Sequence, residues 1–269
     1  PLEFCTFGWL APGEPASSEM LRSVNNHSLI CLGISEKIMP PTVIRETIAE
    51  KAAIVENEQA RKLSRMEKAQ LRDEIITEML PKAFARKHRI YAYIDPANGW
   101  LIVDQSSRKR AEELTEHLRI ALGSLPIAPI QTQKSPSSVM TQWVLDDTPA
   151  TLTVGNECDL IDPAQSNATI KVKGIEANSD EVISHVKAGK QVEKVEITWN
   201  ERLSCVVTDS LEIKKLRFTD LIKDEADDQG GESEIDKLDA DFSIMTHELS
   251  HFLTDLFDWF GGVAAENEE

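Results

Sequence analysis

The sequence has few positive charges for its length. Its 269 residues include 29 lysines and arginines against 46 aspartates and glutamates, a formal net charge of −17. Because binding to the phosphates of a nucleic acid is driven by lysine and arginine, this total argues against a nucleic-acid partner. That argument holds only if the charge is spread evenly along the chain.

Three other features are scarce or missing. The four cysteines are far apart and form no C-x-x-C pair, which predicts the reduced thiols of a cytosolic protein. There is no run of about 18 apolar residues and no signal-peptide pattern, so we expect no membrane span and no secretion. P-loop, G-x-G-x-x-G and G-x-S-x-G motifs are also missing, so nothing predicts a nucleotide-driven enzyme, and we expect no cofactor.

The negative charge is concentrated near the C-terminus. Residues 224–269 carry one lysine against 15 acidic residues, a net charge of −14. Residues 61–134 carry 14 basic against 9 acidic residues, a net charge of +5. The total charge therefore says little about partners, and the asymmetry leaves a basic segment in the middle of the chain.

The spacing of apolar residues predicts an α+β protein with a long helical arm. Helical periodicity begins at Thr42, and the S-x-x-E spacing at Ser64 predicts a capping box for a second helix that stops before Pro81. Alternating apolar residues around the turn formers of 96–99 predict a β-hairpin. The remaining elements are mixed without a βαβ rhythm: strands at about 28–33, 127–130, 169–174, 191–199, 202–208 and 211–218, and helices at about 108–122, 179–188 and 235–260.

Residues 135–165 and 224–234 are rich in polar and turn-forming residues, which predicts irregular structure in both segments. We therefore expect mixed or antiparallel sheets, the helical arm and a C-terminal helical region. The predicted parts of the chain are a central part, the arm, a second α+β part, and an acidic loop with the last helix: residues 1–40 with 89–134, 41–88, 135–223, and 224–269.

Two clusters of cations flank the second helix: Arg61, Lys62 and Arg65 at its start, and Lys82, Arg86, Lys87 and Arg89 around Phe84 beyond its end. At 1.5 Å per residue they are roughly 25 Å apart, a span over which several phosphates could be met. The alternative is a solvated helix face, because acidic residues are interspersed. Phe84 could stack on a base or pack on another protein surface.

Lys171 and Lys173 alternate along a predicted strand, so they point to the same face of a sheet. Two cations on one face are consistent with phosphate contact. The ordinary solvent-exposed side of a sheet would show the same pattern, so both interpretations remain open.

The segment His247-Glu248-Leu249-Ser250-His251 matches the H-E-x-x-H pattern on a predicted helix. Histidines four residues apart share a helix face and can bind zinc, with the glutamate as general base. No third ligand follows in the extended form of the motif. Two interpretations therefore remain open. The protein is a zinc hydrolase that uses His247, Glu248 and His251, or the two histidines share a helix face by chance.

The last helix has apolar residues on more than one face, which is wide for a helix that only covers a domain. They include Phe242, Leu249, Leu253 and Leu256. Either a helix–helix contact between two copies or packing in the core explains this width.

Five segments of the sequence are distinctive in their combination and in their order along the chain. They are EKIMPPTVIRETIAEKAAIVENEQARKLSRMEKAQLRDEIITEMLPKAFAR, IDPANGWLIVDQSSRKRAEELTEHLRIALGSLPIAP, SDEVISHVKAGKQVEKVEITWNERL, KKLRF and LDADFSIMTHEL. Over nearly its whole length, the chain resembles the bacterial recombination-associated protein RdgC family.

This resemblance implies a non-enzymatic protein of the bacterial cytoplasm that is associated with the nucleoid. It implies a ring-shaped homodimer that encircles double-stranded DNA, and also binds single-stranded DNA, with little sequence preference. By occupying DNA, members of the family limit access of the RecA recombinase. The ring closes through the C-terminal helical regions and through the tips of the helical arms, where the family's aromatic corresponds to Phe84. Cations corresponding to Arg61 and Lys82 belong to the family's basic surface.

The sequence departs from the family pattern at three places. Family members carry a further N-terminal segment, so we expect residues upstream of Pro1. Gly174 and Ile175 stand where the family is usually more basic, which weakens a contact near Lys171. The histidines at 247 and 251 are not expected from the family.

Overall fold

The computed structural model describes residues 3–13, 15–145, 147–229, 231 and 233–264. It confirms a mixed α and β fold with antiparallel sheets. The chain forms two compact units, the first comprising Pro1–Ser23 and Ser28–Gln105, the second Val24–His27 and Ser106–Glu269. The helix at 108–122 therefore belongs to the second unit, whereas the sequence groups it with the first sheet.

The first sheet has five strands, and its order is β1-β3-β4-β5, with β2 paired to β3. The strands are β1 (Cys5–Leu10), β2 (Arg22–Val24), β3 (His27–Lys37), β4 (Ala85–Asp95) and β5 (Trp100–Asp104). Both faces of β3 and β4 are buried near the middle of the strands, because Leu32 pairs with Ile90 on one face and Leu29 pairs with Tyr93 on the other. Side chains alternate between the two faces, so the core of the first unit lies on both sides of this strand pair.

Asp95 organises the turn between β4 and β5. Its Oδ1 accepts hydrogen bonds from the backbone N–H groups of Ala97 at 3.1 Å and Asn98 at 3.2 Å, and its Oδ2 accepts one from the Asn98 side chain at 2.7 Å. Gly99 has a φ of 71°, which glycine adopts without a steric cost. The predicted hairpin is confirmed.

A helical hairpin connects β3 to β4. It consists of α1 (Pro41–Glu58), α2 (Arg65–Met79) and a short 3-10 turn (Leu80–Lys82). The ammonium of Lys51 on α1 lies 2.6 Å from Glu78 Oε2 on α2, which links the two helices. Ala52 and Ile75 are the buried residues of these helices, so most of the hairpin surface is open to solvent.

The start of α2 has the predicted capping box. Ser64 Oγ accepts a hydrogen bond from the Glu67 N–H at 3.3 Å, and Glu67 Oε2 accepts one from the Ser64 N–H at 2.8 Å. Two backbone groups that a helix start leaves unpaired are thereby satisfied. The helix ends before Pro81, as predicted.

The second unit contains a five-stranded antiparallel sheet and five helices among the residues that the structure describes. The sheet order is β10-β9-β8-β6-β7. The strands are β6 (Leu152–Asp162), β7 (Gln165–Lys173), β8 (Gln191–Trp199), β9 (Leu203–Thr208) and β10 (Ile213–Phe218). The helices are α3 (Arg108–Leu122), α4 (Pro136–Val144), α5 (Asp180–Lys187), α6 (Asp220–Gln229) and α7 (Glu234–Trp259). Within the described ranges, no helix is long and apolar enough to cross a membrane.

The strand predicted at 127–130 is wrong. Residues 124–131 have no regular structure, and the nearest pairing is an isolated bridge between Thr132 and Val263. Ile127 and Ile130, which suggested a strand, are exposed. An apolar run becomes a strand only where a neighbouring strand pairs with it.

The irregular segment predicted at 135–165 is also wrong, because it contains α4 and β6. The indole of Trp143 on α4 is buried, with its ring centre 5.8 Å from that of Trp259 and 5.4 Å from that of Phe260. β6 lies between β7 and β8 and pairs with both. Packing and pairing with distant parts of the chain overcame the local turn preferences.

The acidic loop predicted at 224–234 is partly helical, because α6 continues to Gln229. The buried side chain of Ile222 and an ion pair at 3.1 Å between Glu225 and Arg202 hold α6 in place. Gly230 and Glu232 lie outside the described residues.

The apolar residues of α7 pack inside the second unit. Phe242, Leu249, Leu253 and Leu256 are all buried within the chain. The Trp199 indole N–H donates to Asp255 Oδ2 at 2.8 Å and fixes the helix beside β8. Core packing therefore accounts for the wide apolar face, and these four side chains have little surface left for a second copy.

Leu160→Ala should destabilise the protein by about 2–5 kcal/mol, because the side chain is 0% exposed in β6 and its removal leaves a cavity. Ile120→Ala is the matched control, since that side chain is 70% exposed and its loss should change stability by no more than about 0.5 kcal/mol. Urea unfolding measures both. Equal effects of the two substitutions would contradict the placement of this core.

Candidate nucleic-acid interface

The turn between α1 and α2 is built around the carboxylate of Glu56. It accepts hydrogen bonds from the Lys62 ammonium at 2.8 Å and from the Leu63 N–H at 2.9 Å, and Lys68 lies 3.3 Å away. The hydrogen bond from Lys62, followed by that from Leu63, holds the pKa of Glu56 at about 2. One carboxylate thus orders the turn and binds two of its cations.

Glu67 does the same for Arg61. The Arg61 guanidinium donates to both carboxylate oxygens, at 3.0 Å and 2.5 Å. These bonds and the N–H of Ser64 hold the pKa of Glu67 at about 2. Because the same carboxylate completes the capping box, the position of Arg61 is tied to the start of α2.

The predicted cluster at the start of α2 therefore divides into paired and unpaired cations. The structure brings Arg61, Lys62 and Arg65 together, as the sequence predicts, but carboxylates hold Arg61 and Lys62. Arg65 is exposed and forms no ion pair with the part of the chain that the structure describes.

The second cluster lies at the other end of α2. Lys82 is 3.5 Å from Glu78, whereas Arg86 and Lys87 are exposed and have no ion pair among the described residues. Phe84 is 86% exposed, and its carbonyl accepts a hydrogen bond from the Ile38 N–H at 2.8 Å. Phe84 thus lies where the hairpin joins the sheet, and not at the α1–α2 turn.

Strand register brings small residues of β1 and β3 beside two cations of the second cluster, Lys87 and Arg89. Side chains in register across β1, β3 and β4 point to one face of the sheet and form two rows: Thr6, Ser35 and Lys87, and Gly8, Gly33 and Arg89. We call these six residues the sheet patch. The backbone is open at Gly8, whereas the side chain of Leu10 covers Gly33, and both cations of the patch are exposed. Alternation of Lys87 and Arg89 was visible in the sequence, but the small residues opposite them, Ser35 and Gly33, depended on the pairing.

On the second sheet, Lys171 and Lys173 are exposed, and no ion pair involves them among the described residues. Register places Asp159 opposite Lys171 and Glu157 opposite Lys173. The two lysines share one face, as predicted, but that face also carries carboxylates.

Those carboxylates bind other lysines. Lys194 lies 3.1 Å from Asp159 and 3.4 Å from Glu157, and Lys215 also pairs with Glu157. Lys215 is the main cause of the lowered pKa of Glu157. Neutralisation by Lys194 and Lys215 leaves Lys171 and Lys173 available for an external anion.

The H-E-x-x-H segment is on α7, but its glutamate is not available as a general base. Glu248 is 5% exposed, and both of its oxygens accept hydrogen bonds of 2.8 Å from Arg202. This pairing raises the pKa of Arg202, and Glu248 is its largest cause. His247 and His251 are exposed, with ring centres 4.6 Å apart. The described residues contain no group of three or more His, Cys, Asp or Glu side chains placed to hold a metal ion.

The order of the α1–α2 turn should depend on pH. The pKa values of Glu56 and Glu67 lie below the ordinary value of 4.5, so their ion pairs stabilise the turn above about pH 4.5 and are lost as the pH falls toward about 2. The amide chemical shift of Leu63, followed by NMR, should titrate in this window and lose its titration in Glu56→Gln. Titration of the wild-type amide centred at or above pH 4.5 would contradict the pairing.

The chain matches, over residues 1–263, the sequence model of a family described as "Putative exonuclease, RdgC". It is 38% identical over 257 residues to the "Recombination-associated protein RdgC" of Halorhodospira halophila, which covers 95% of this chain and 84% of that protein. Proteins of the same name from Pseudomonas syringae pv. tomato and Aeromonas hydrophila are each 37% identical, over 97% and 95% of this chain and 86% and 85% of their own lengths. One description names an exonuclease and the others name recombination. The chain belongs to the RdgC family of recombination-associated proteins.

Proposed function

We propose that this protein binds double-stranded DNA without sequence preference, as a ring-shaped homodimer associated with the nucleoid, and thereby limits access of RecA to DNA. Membership of the RdgC family supports a role in recombination. The DNA-binding surface is proposed from the cations of the two units, each considered separately.

The main support for DNA binding is that some of the predicted cations form no ion pair while others are paired with carboxylates. Five of the eight predicted contacts are exposed and form no ion pair within the described ranges: Arg65, Arg86, Lys87, Lys171 and Lys173. A phosphate can bind these side chains without breaking an ion pair first. Carboxylates hold the other three, Arg61, Lys62 and Lys82, at distances of 2.5 to 3.5 Å, so a phosphate would have to compete for them. We therefore assign most of the binding energy to the unpaired set.

The chemistry of this set favours phosphates over bases. Lysine and arginine on exposed helix ends and sheet faces attract the DNA backbone, and backbone contacts carry no sequence information. The sheet patch fits the same purpose, because the open space above Gly8 allows a phosphate chain to approach close to the strand backbone. Our proposal is binding without base readout and without cleavage.

The proposed dimer contact uses Phe84 and its neighbour. Ile38 is exposed like Phe84, and the hydrogen bond between their backbones places the two residues side by side. Two adjacent apolar side chains on the surface favour association with another apolar surface. The cations around them would then approach a shared ligand.

We expect DNA binding that falls steeply with salt and barely changes with sequence. Fluorescence anisotropy with two unrelated duplexes at 50 and about 200 mM salt measures both properties. A strong sequence preference, or affinity independent of salt, would refute the proposal. Gel analysis of the same duplexes after incubation with Mg²⁺ should show intact DNA, and shortened strands would support the exonuclease description instead.

Arg86→Ala with Lys87→Ala should weaken binding to both duplexes equally and reduce the salt slope by about 2, one unit for each lost phosphate contact. The matched control is Lys109→Ala with Lys187→Ala, which removes the same charge from exposed positions outside the proposed surface. If the control weakens binding as much, net charge and not this surface determines the affinity.

Sedimentation at micromolar concentration should show a dimer, and Phe84→Ala should shift it toward the monomer because the apolar contact is lost. Met66→Ala is the matched control, since Met66 is 83% exposed on the same hairpin and has no role in the proposed contact. A monomeric wild-type protein would contradict the ring, whereas DNA binding would be judged by its own titration.

A further inference from the structure

A cavity of about 450 Å³ lies on the second unit, beside α7. Its lining includes His247, His251 and Ser250 on α7, together with the ion pair between Arg202 and Glu248. Nothing in the proposed DNA-binding surface uses these residues. The proposed DNA-binding function therefore does not explain why two histidines lie at this position.

We propose that His247 and His251 form a two-histidine binding site for a divalent transition-metal ion such as Zn²⁺, Ni²⁺ or Cu²⁺. Imidazole nitrogen is a preferred ligand of these three ions. The site does not depend on the proposed function, because it lies on α7 and shares no residue with the DNA-binding surface.

The separation of the two rings fits a shared ion. Metal–nitrogen bonds of about 2.0–2.1 Å place two imidazole centres roughly 4.5–5.2 Å apart when the bond angle lies between about 90° and 110°. The ring centres of His247 and His251 are 4.6 Å apart, with an interplanar angle of 74°. Their spacing of four residues holds them on one face of α7.

The surroundings favour a cation and leave room for water. Residues 224–269 carry a net charge of −14, which attracts positive ions to this part of the protein. Both histidines are exposed and face a cavity, so water can complete the coordination sphere. Ser250 also lines the cavity, and Glu225 is paired with Arg202 at 3.1 Å.

The arrangement separates metal binding from hydrolysis. In a zinc hydrolase the glutamate of H-E-x-x-H activates the water on the metal. Here Arg202 occupies both oxygens of Glu248 and keeps that side chain buried. The expected effect is structural: an ion bound by residues four apart links successive turns of α7 and stabilises the helix.

Isothermal titration of the full chain with Zn²⁺ at neutral pH should show about one ion bound per chain at micromolar concentration. His247→Ala and His251→Ala should each weaken this binding by about tenfold or more, because a single imidazole cannot chelate the ion. Zn²⁺ should also raise the melting temperature of the wild-type protein but not of either variant. Circular dichroism checks that these exposed substitutions leave the fold intact.

His185→Ala is the matched control, since it removes a histidine from another helix of the same unit, α5. It should bind Zn²⁺ like the wild type. Absence of saturable binding by the wild-type protein, or equal weakening in His185→Ala and His251→Ala, would overturn the site. Neither result would affect the DNA titration, so failure of this proposal is distinguishable from failure of the proposed function.

Discussion

The antiparallel register between β3 and β4 is the constraint on which the first unit depends. The two strands pair continuously from Ser28 with Ile94 to Lys37 with Ala85, without a register shift. Since the helical hairpin is inserted between these strands, their last pair fixes where it leaves and re-enters the sheet. The same register buries apolar side chains on both faces near the middle of the strands and places Lys87 beside small residues at the end of one face. A shift by one residue would move every side chain of one strand to the opposite face.

Ion pairs with carboxylates determine which cations of this acidic protein remain available to bind an external anion. Glu56 and Glu67 use their negative charge to order the α1–α2 turn, and in doing so they bind Lys62 and Arg61. On the second sheet, Lys194 and Lys215 neutralise acidic neighbours of Lys171. A net charge of −17 is therefore compatible with local surfaces from which exposed cations reach outward. For such a surface, the pairing of each cation matters more than the total charge.

In the second unit, one partly buried ion pair changes the meaning of a sequence motif. Arg202 follows β8 in the chain, and Glu248 lies on α7, 46 residues later. Their contact ties the helix to the sheet and removes the glutamate from any hydrolytic role. The two histidines of the motif remain at the surface, where their spacing permits a different chemistry. A pattern of residue types thus predicted where side chains lie along a helix, but not which neighbours they meet.

The sequence by itself determined the features that depend on neighbouring residues. The capping box at Ser64, the hairpin turn at 96–99 and the end of α3 at Leu122, before the left-handed Gly123, follow from local hydrogen bonds and backbone preferences, and all three elements were predicted. Tertiary structure decided the rest. α4 and β6 form against local preference because distant residues pack on them. The apolar face of α7 is buried in the core of the second unit. Which cations are paired also depended on partners that only folding brings within reach. Burial and ion pairing depend on distances in space, and the spacing of residues along the chain does not determine those distances.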